Sequence, residues 1–492
     1  MRYRILGLAA VAVMLLAAAA AASLEPEAQE RGRVHQHLAY RGDEGCGCGG
    51  SALCSHLPLI VIDTGGQRIP GALAEGMDRF GQAVYTTSED GLPVITAQVA
   101  VIDNAGANNH LTDPPALKAA ADFRIRGNSS RRFPKLPYLL DLKDGEGNNL
   151  DYPMMGMDAH HEWALHGPIL DKSLIRNYMW YNISGEIMEY APNVRFCELV
   201  LNGRHQGLYL MVETITNGDD CRLPLRLDTK NAEATGYLLR VDRPTETELE
   251  SIRDVYTFAE RDGQIAQDIA IRYPGRGRLT EALKKSIELD VSAFEKAIFS
   301  YDYNTGQYGY WNWVDVDSFV DYFLINEFTK NSDAGGYSTY LYKEVGGKFK
   351  LCVWDFNNVC DNFREEVQEP ENFLMVKRFW YFMMLKDEAF VERLLARYGE
   401  LRRGVLSEAY LMNYIDETLD WLGPAIDRNN DRWGDEMANW EGLMPPERNI
   451  HSHREGVEQL REWLCERGGW LDENIHALRQ YAHPSRNKKF SH

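Results

Sequence analysis

The apolar pattern of this chain changes its period near residue 280, and that change limits the folds the chain can adopt. Before this point, short apolar runs bounded by turn residues predict strands at 57–62, 97–102, 121–126 and 138–142. After it, apolar residues recur at helical spacing, as in 316–329. The sequence therefore predicts an α+β fold with a strand-rich N-terminal half and a helix-rich C-terminal half.

Local signals place further elements. Asn202-Gly203 favours a tight β-hairpin turn, so strands are predicted at 196–201 and 207–212 on either side of it. A helix is predicted from about Asp171 to Glu189, before Pro192. The remaining predicted elements are a strand at 236–241, helices at 280–289 and 291–301, a hairpin at 338–343 and 348–354, and mostly helix over 373–478.

The first residues are typical of an export signal. Arg2 and Arg4 precede an apolar stretch over 5–22, which ends in small alanines suited to cleavage. An uncleaved anchor helix is the other interpretation, since the stretch is close to the length of a membrane span. We expect a signal peptide at 1–22, an exported chain (periplasmic, secreted or at the cell surface), and no membrane span after cleavage.

The segments at the two ends are polar. Residues 23–57 are rich in glycine, contain cysteines and lack apolar periodicity, so they are interpreted as a flexible leader. Residues 481–492 form a basic tail. The body of the chain is therefore placed at 58–480 and divided near residue 280.

The charge balance bears on the kind of partner the chain can bind. With 53 Lys and Arg against 73 Asp and Glu, the formal net charge is −20. A chain this acidic is poorly suited to binding a nucleic-acid backbone, so no nucleic-acid partner is expected. A local basic pocket for a single nucleotide remains compatible with it.

The eight cysteines fit an oxidising compartment, where disulfides are the first interpretation. Cys46-Gly-Cys48 and Cys54, with His56 nearby, also suit a small metal site. Their spacing lacks the paired CxxC form that is typical of zinc sites. Disulfides, a metal site and free thiols all remain open from the sequence.

Two basic segments differ from ordinary core sequence. In the first, Gly127 with small polar neighbours follows a predicted strand, and arginines flank it. Free backbone N–H groups between cations suit a polyphosphate, although a solvated basic turn has the same pattern. In the second, 170–177, Asp171 is suited to cap a helix, and Lys172 and Arg176 lie four residues apart on one helix face.

Two later segments carry carboxylates. Asp333 lies where a predicted helix ends and a hairpin begins, a position from which a carboxylate can orient or deprotonate a hydroxyl group. Asp355 ends an apolar strand and is followed by Asn357 and Asn358, which together suit Mg²⁺ or Mn²⁺. A turn-forming role for Asp355 is the alternative.

Taken together, these motifs resemble the CotH family of secreted and spore-coat proteins with an atypical, two-lobed protein-kinase-like fold. The resemblance spans about 57–480, with an N-lobe at about 58–280 and a C-lobe at about 281–480. The motifs that carry it are Arg126-Gly127-Asn128-Ser129-Ser130, 170–177, Leu201-Asn202-Gly203 with Gln206–Leu210, 326–333 and Val353-Trp354-Asp355-Phe356.

The family implies transfer of the γ-phosphoryl group of ATP, with Mg²⁺ or Mn²⁺, to Ser or Thr of a protein. Asp333 would then be the catalytic-loop carboxylate, and Asp355 with Asn357 would bind the metal. The implied nucleotide-binding residues are Arg126, Gly127, Asn128, Ser129, Lys135, Lys172, Arg176 and Glu213. Lys135 would hold the phosphates, and Arg126, Arg132 and Lys172 are the alternatives for that role.

Two features depart from ordinary kinases: the body of the chain at 58–480 has neither an H-R-D motif nor GxGxxG. The expected partners are ATP and an unidentified secreted or surface protein substrate. Two other functions remain open from the sequence. One is a surface adhesin on a kinase-like scaffold, and the other is a coat or envelope component with little or no catalytic activity.

Overall fold

A computed structural model of the protein describes residues 46, 48, 53–77, 83–104, 106–218, 222–228, 235–243, 249–252, 268–378 and 380–483. Strand content is high before residue 280 and helix content is high after it, as predicted. The predicted signal peptide at 1–22, Cys221 and the tail from 484 onward lie outside the described residues. None of the described helices combines the length and the apolar character needed to cross a membrane.

The strands are numbered in chain order. They are β1 (Cys54–Ser55), β2 (Leu59–Asp63), β3 (Leu73–Met77), β4 (Ala83–Tyr85), β5 (Ile95–Ile102), β6 (Asn109–His110), β7 (Leu117–Ile125), β8 (Tyr138–Lys143), β9 (Glu162–His166), β10 (Val194–Leu201), β11 (Arg204–Glu213), β12 (Tyr237–Asp242), β13 (Ser251–Ile252), β14 (Asp268–Tyr273), β15 (Thr339–Lys343) and β16 (Lys350–Cys352).

Seven of the described strands close into a barrel in the order β10-β11-β9-β8-β7-β5-β2. Neighbouring strands are antiparallel except where β2 meets β10 in a parallel pair that closes the barrel. Inward side chains alternate with outward ones along β5, where Ile95, Ala97 and Val99 face the apolar interior. The predicted hairpin is confirmed, with Asn202-Gly203 turning β10 into β11.

The helices are α1 (Arg176–Ile187), α2 (Glu281–Phe299), α3 (Val316–Thr329), α4 (Tyr381–Met384), α5 (Glu388–Arg402), α6 (Glu408–Leu422), α7 (Pro424–Asn439) and α8 (His453–Asn474). α1 is buried on nearly all sides, and its Tyr178 ring packs 4.5 Å from Phe196 of β10. This packing explains why β10 is buried along almost its whole length: one of its faces lines the barrel and the other contacts α1.

A second sheet lies in the order β13-β14-β12-β15-β16. It joins strands from both halves of the sequence, because β12 pairs with β15. The loop before β15 and the residues after β16 lie close to the barrel loop that follows β7.

Two predicted features differ from the structure. The two helices predicted at 280–289 and 291–301 form one helix, α2. Asp290 continues the helix at the predicted break, and its carboxylate accepts hydrogen bonds from Tyr237 of β12 and Lys343 of β15. Within the predicted flexible leader, Cys54–Ser55 forms β1 and pairs with β6.

Candidate functional site

A cleft of about 610 Å³ lies between the barrel and the second sheet, a size typical of small-molecule sites. Polar residues from both halves of the chain line this cleft. Of the predicted site residues, those lining the cleft are Arg126, Gly127, Asn128, Ser129, Asp333, Asp355 and Asn357. The fold thus brings together residues that are more than 200 positions apart.

The loop after β7 is held in a conformation that requires glycine. Gly127 has a φ of +94°, and a Cβ atom there would lie 2.0 Å from Ser130 Oγ. The Arg131 guanidinium donates hydrogen bonds to the carbonyl oxygens of Gly127 and Gly71. A short 3₁₀ turn at Ser129–Arg132 follows. These contacts fix the loop at the edge of the cleft.

Guanidinium groups dominate the cleft wall. The arginines that line it are Arg124, Arg126, Arg131, Arg240, Arg243, Arg272 and Arg364. Burial, and then the positive charge of Arg126, lower the pKa of Arg124. Burial also lowers the pKa of Arg131. So many cations at one concave surface of an acidic chain are suited to a ligand with several negative charges.

Asn128 links the glycine loop to this basic wall. With its carboxamide oxygen turned toward Arg243, it accepts hydrogen bonds from Nη1 at 3.1 Å and Nε at 3.0 Å. The Arg243 guanidinium also lies 4.5 Å from the centre of the Tyr337 ring. Loop and wall therefore form one connected surface.

Asp355 occupies a strained and electrostatically unfavourable position just after β16. Its φ of +62° is in the left-handed region, and its Oδ1 is buried without a hydrogen-bond partner. Burial, and then the charge of Asp333, raise its pKa from 3.8 to about 6, although Arg126 acts in the opposite direction. A buried carboxylate with a free oxygen is a ready cation ligand.

Asn357 supplies a second oxygen of the same kind. Its Oδ1 is also buried without a hydrogen-bond partner. Asp333 lies nearby, where its Oδ2 accepts a hydrogen bond from Asn358 Nδ2 at 3.2 Å. Burial raises the pKa of Asp333. These oxygen atoms fit the donor set that Mg²⁺ and Mn²⁺ prefer, so the residues present are compatible with such an ion.

Aromatic rings and a neutral histidine complete the cleft. The Trp354 ring lies 5.4 Å from the Arg126 guanidinium and 5.8 Å from the Tyr181 ring. Burial, followed by the charges of Arg126 and Lys135, lowers the pKa of His166 to about 3. His166 is therefore uncharged at neutral pH.

Lys135 does not belong to the described lining of the cleft. It is fully buried, and its Nζ donates hydrogen bonds to Leu208 O at 2.5 Å and to Asn429 Oδ1 of α7 at 2.7 Å. Burial, and then the charge of Arg432, lower its pKa. This lysine joins the barrel to α7 and is turned away from the phosphate position expected from the sequence.

Lys172, Arg176 and Glu213 likewise have other partners. Lys172 Nζ donates to Met437 O at 2.6 Å, and Arg176 Nη1 donates to Asp171 Oδ1 at 2.5 Å. Glu213 accepts hydrogen bonds from the backbone and the side chain of Asn193. All three are buried, and none is among the described residues that line the cleft. Each of these three charged groups forms hydrogen bonds with other protein groups outside the cleft.

Several arginines of the wall were not predicted from the sequence. Arg240 lies in β12, Arg243 follows that strand, and Arg272 lies in β14. A signal for the first and last was present, because a charge inside an otherwise apolar strand needs a reason to be there. His166 ends β9 and also lines the cleft, although no role there was predicted for it from the sequence.

Comparison with known proteins identifies a family and a relative that the chain resembles. A family model described as CotH kinase protein matches residues 123–471. A curated protein, "Inner spore coat protein H" of Bacillus subtilis (strain 168), is 23% identical over 245 residues. That alignment covers 48% of this chain and 58% of the relative, so it spans little more than half of the relative's length. Since the family model covers most of the chain, the chain belongs to the CotH kinase protein family.

Proposed function

We propose that this chain is an exported, ATP- and divalent-metal-dependent kinase with a two-lobed kinase-like fold, which transfers the γ-phosphoryl group to Ser or Thr of a protein substrate. The observation that carries the proposal is the make-up of one cleft. A wall of arginines faces Asp333, Asp355 and Asn357, and the last two have buried oxygens without hydrogen-bond partners.

The arginines would bind the phosphates. Arg126 is the residue we assign to the role first considered for Lys135, because it lies in the cleft and lowers the pKa of the adjacent Asp355. Arg243 and the backbone N–H groups of the glycine loop would hold the remaining phosphate oxygens. Fixed cations stabilise the charge that spreads over a phosphoryl group during transfer.

The two carboxylates, Asp355 and Asp333, would have different roles. Asp355 and Asn357 would hold a divalent cation, which supplies charge neutralisation for the phosphates. Asp333 would orient the acceptor hydroxyl group and accept its proton. Burial raises the pKa of Asp333, which makes it a stronger base than an exposed aspartate. The Trp354 ring offers a flat surface at the same cleft.

The membership of the chain in a family described as kinase supports this assignment. A second function is favoured by a different observation, the similarity to a relative named as a spore coat protein. In that case the chain would be a coat, envelope or adhesive surface component, in which nucleotide binding only stabilises the fold.

Phosphate transfer from labelled ATP tests the proposal directly. The purified chain is incubated with Mg²⁺ or Mn²⁺ and a mixed protein acceptor, in parallel with Asp333→Asn and Asp355→Asn. We expect label from the unaltered chain and at least a 100-fold loss in both variants, an effect in the range of losing a general base or a metal ligand. Asp90→Asn, at an exposed position outside the cleft, is the matched control and should retain activity.

Calorimetry with ATP and Mn²⁺ separates the two functions. Binding without any transfer would favour the coat or adhesin function. Absence of both binding and transfer would remove the nucleotide from the proposal.

A further inference from the structure

A cluster of metal-binding side chains lies on the barrel, apart from the cleft. The short antiparallel pair β1–β6 sets Cys54 directly opposite His110. Cys46 and Cys48, which precede β1 in the chain, join them. One donor atom from each of these four residues lies within 4.8 Å of the other three. None of the four is among the described residues that line the cleft.

The histidine is oriented by a carboxylate. Asp113 Oδ2 lies 3.3 Å from His110 Nδ1 and accepts a hydrogen bond from the His110 backbone N–H at 2.9 Å. Asn104 Nδ2 in turn donates to the same oxygen at 2.7 Å. This arrangement turns the other ring nitrogen, Nε2, toward Cys46 Sγ at 3.3 Å. A carboxylate behind a histidine is the usual support of a metal-bound imidazole.

One of the sulfur atoms also has a supporting contact. Asn108 Nδ2 lies 3.1 Å from Cys54 Sγ, a contact that stabilises negative charge on the sulfur. Asn108 immediately precedes β6, so this strand and the residue before it provide a ligand and a supporting amide together. Such second contacts distinguish a prepared site from a chance group of cysteines.

We propose that Cys46, Cys48, Cys54 and His110 bind one zinc ion in a structural Cys₃His site. Three thiolates and one imidazole are a soft donor set that selects zinc over Mg²⁺ or Ca²⁺. In a tetrahedral zinc site the sulfur atoms lie about 3.8 Å apart, given Zn–S bonds of about 2.3 Å. The observed spread of up to 4.8 Å needs only a small contraction.

The structure changes the metal site that the sequence suggested. His56 was the histidine expected beside these cysteines, but its ring packs edge-on against Trp421 with the centroids 5.5 Å apart. His110, far along the chain, takes that place because β6 pairs with β1. The sequence could show three ligands but not the strand pairing that brings the fourth.

Disulfide formation is the competing fate of these cysteines. None of the three described cysteines Cys46, Cys48 and Cys54 is in a disulfide in the structure. Three thiols cannot pair completely with one another, so a disulfide would leave one sulfur and the prepared histidine unused. A zinc ion uses all four donors. It would fasten Cys46 and Cys48 to the barrel through β1 and β6, and so anchor part of the predicted leader.

Metal analysis of the purified full chain tests the proposal. Elemental mass spectrometry should find one zinc per chain, and Co²⁺ exchanged into the site should give the thiolate charge-transfer and d–d bands of a tetrahedral centre. Cys48→Ser and His110→Gln should lose the metal. Asp113→Asn should keep the four ligands but bind zinc roughly 10- to 100-fold more weakly. Cys465→Ser, which removes a cysteine outside the cluster, should retain one zinc.

Thiol counting decides against the alternative. In the zinc-bound chain, all three cysteines should resist alkylation until a chelator is added, and peptide mass spectrometry should find no disulfide among them. A disulfide within this group, or failure of the reduced, folded chain to take up Zn²⁺ or Co²⁺, would overturn the proposal. Because the Co²⁺ spectrum is recorded on the unaltered chain, a variant that fails to fold does not affect the outcome.

Discussion

Replacing Asp355 with asparagine tests whether the cleft holds an uncompensated carboxylate when no cation is bound. Burial, followed by the charge of Asp333, raises the pKa of Asp355 from 3.8 to about 6. One pKa unit corresponds to about 1.4 kcal/mol, so ionised Asp355 lowers the free energy of unfolding by about 3 kcal/mol near pH 8. We expect Asp355→Asn to raise the free energy of unfolding by about that amount in metal-free buffer.

The pH dependence has a definite sign. Because the pKa of Asp355 is higher in the folded chain than in the unfolded chain, the folded chain holds the proton more tightly between about pH 4 and pH 6. The stability of the unaltered chain therefore falls as the pH rises through this range. The advantage of asparagine should be full near pH 8, about half as large near pH 5, and absent below about pH 4.

Urea denaturation in the presence of EDTA, near pH 8 and near pH 5, measures the free energy of unfolding of the unaltered chain and of Asp355→Asn. Asp90→Asn, which changes an exposed carboxylate outside the cleft, should alter the free energy of unfolding by less than about 0.5 kcal/mol at either pH. Addition of Mn²⁺ should stabilise the unaltered chain and not Asp355→Asn. Equal stabilities of the unaltered chain and Asp355→Asn near pH 8 would refute the reasoning, as would an advantage of asparagine that does not change with pH.

Three further outcomes are expected. Arg176→Met should lower the free energy of unfolding by about 3 to 5 kcal/mol in urea melts, because it leaves Asp171 as a buried unpaired charge, and Asp171→Asn in the same chain should restore part of the loss. Burial opposes ionisation of Glu198, but its hydrogen bonds and charge contacts lower its pKa to about 2, so the stability it provides is complete above about pH 4.5 and is lost toward pH 2. The difference in melting temperature between the unaltered chain and Glu198→Gln should therefore shrink over that range, and a constant difference would contradict it. Arg243→Gln should weaken ATP binding by about tenfold in calorimetry, whereas Arg393→Gln, which changes an exposed ion pair outside the cleft, should leave it unchanged.

Local sequence signals predicted local structure well. The Asn202-Gly203 turn and the helix at 316–329 were predicted at their observed positions, because turn chemistry and apolar spacing act over a few residues. The parallel pairing of β2 with β10 left no such signal. Barrel closure depends on contacts between distant segments, which one sequence does not reveal.

The candidate site shows the same division. The glycine loop, Asp333 and Asp355 line one cleft. The sequence singled them out because each lies at the end of an element, where a polar side chain has little reason to be unless it serves a turn or a site. Lys135 is not among the described residues that line the cleft. The sequence gives its charge but not the direction of its side chain. Its Nζ points toward α7, a helix nearly 300 residues away in the chain, where Asn429 binds it.

The way the barrel closes has a consequence for the order in which the chain is made. β2 pairs with β5, which is synthesised soon after it, but its other edge stays open until β10 has been made. During that interval an apolar edge strand, Leu59–Asp63, is available to other chains. Fragments that end before Leu201 should therefore aggregate instead of folding, and the growing chain depends on protection of this edge until β10 emerges.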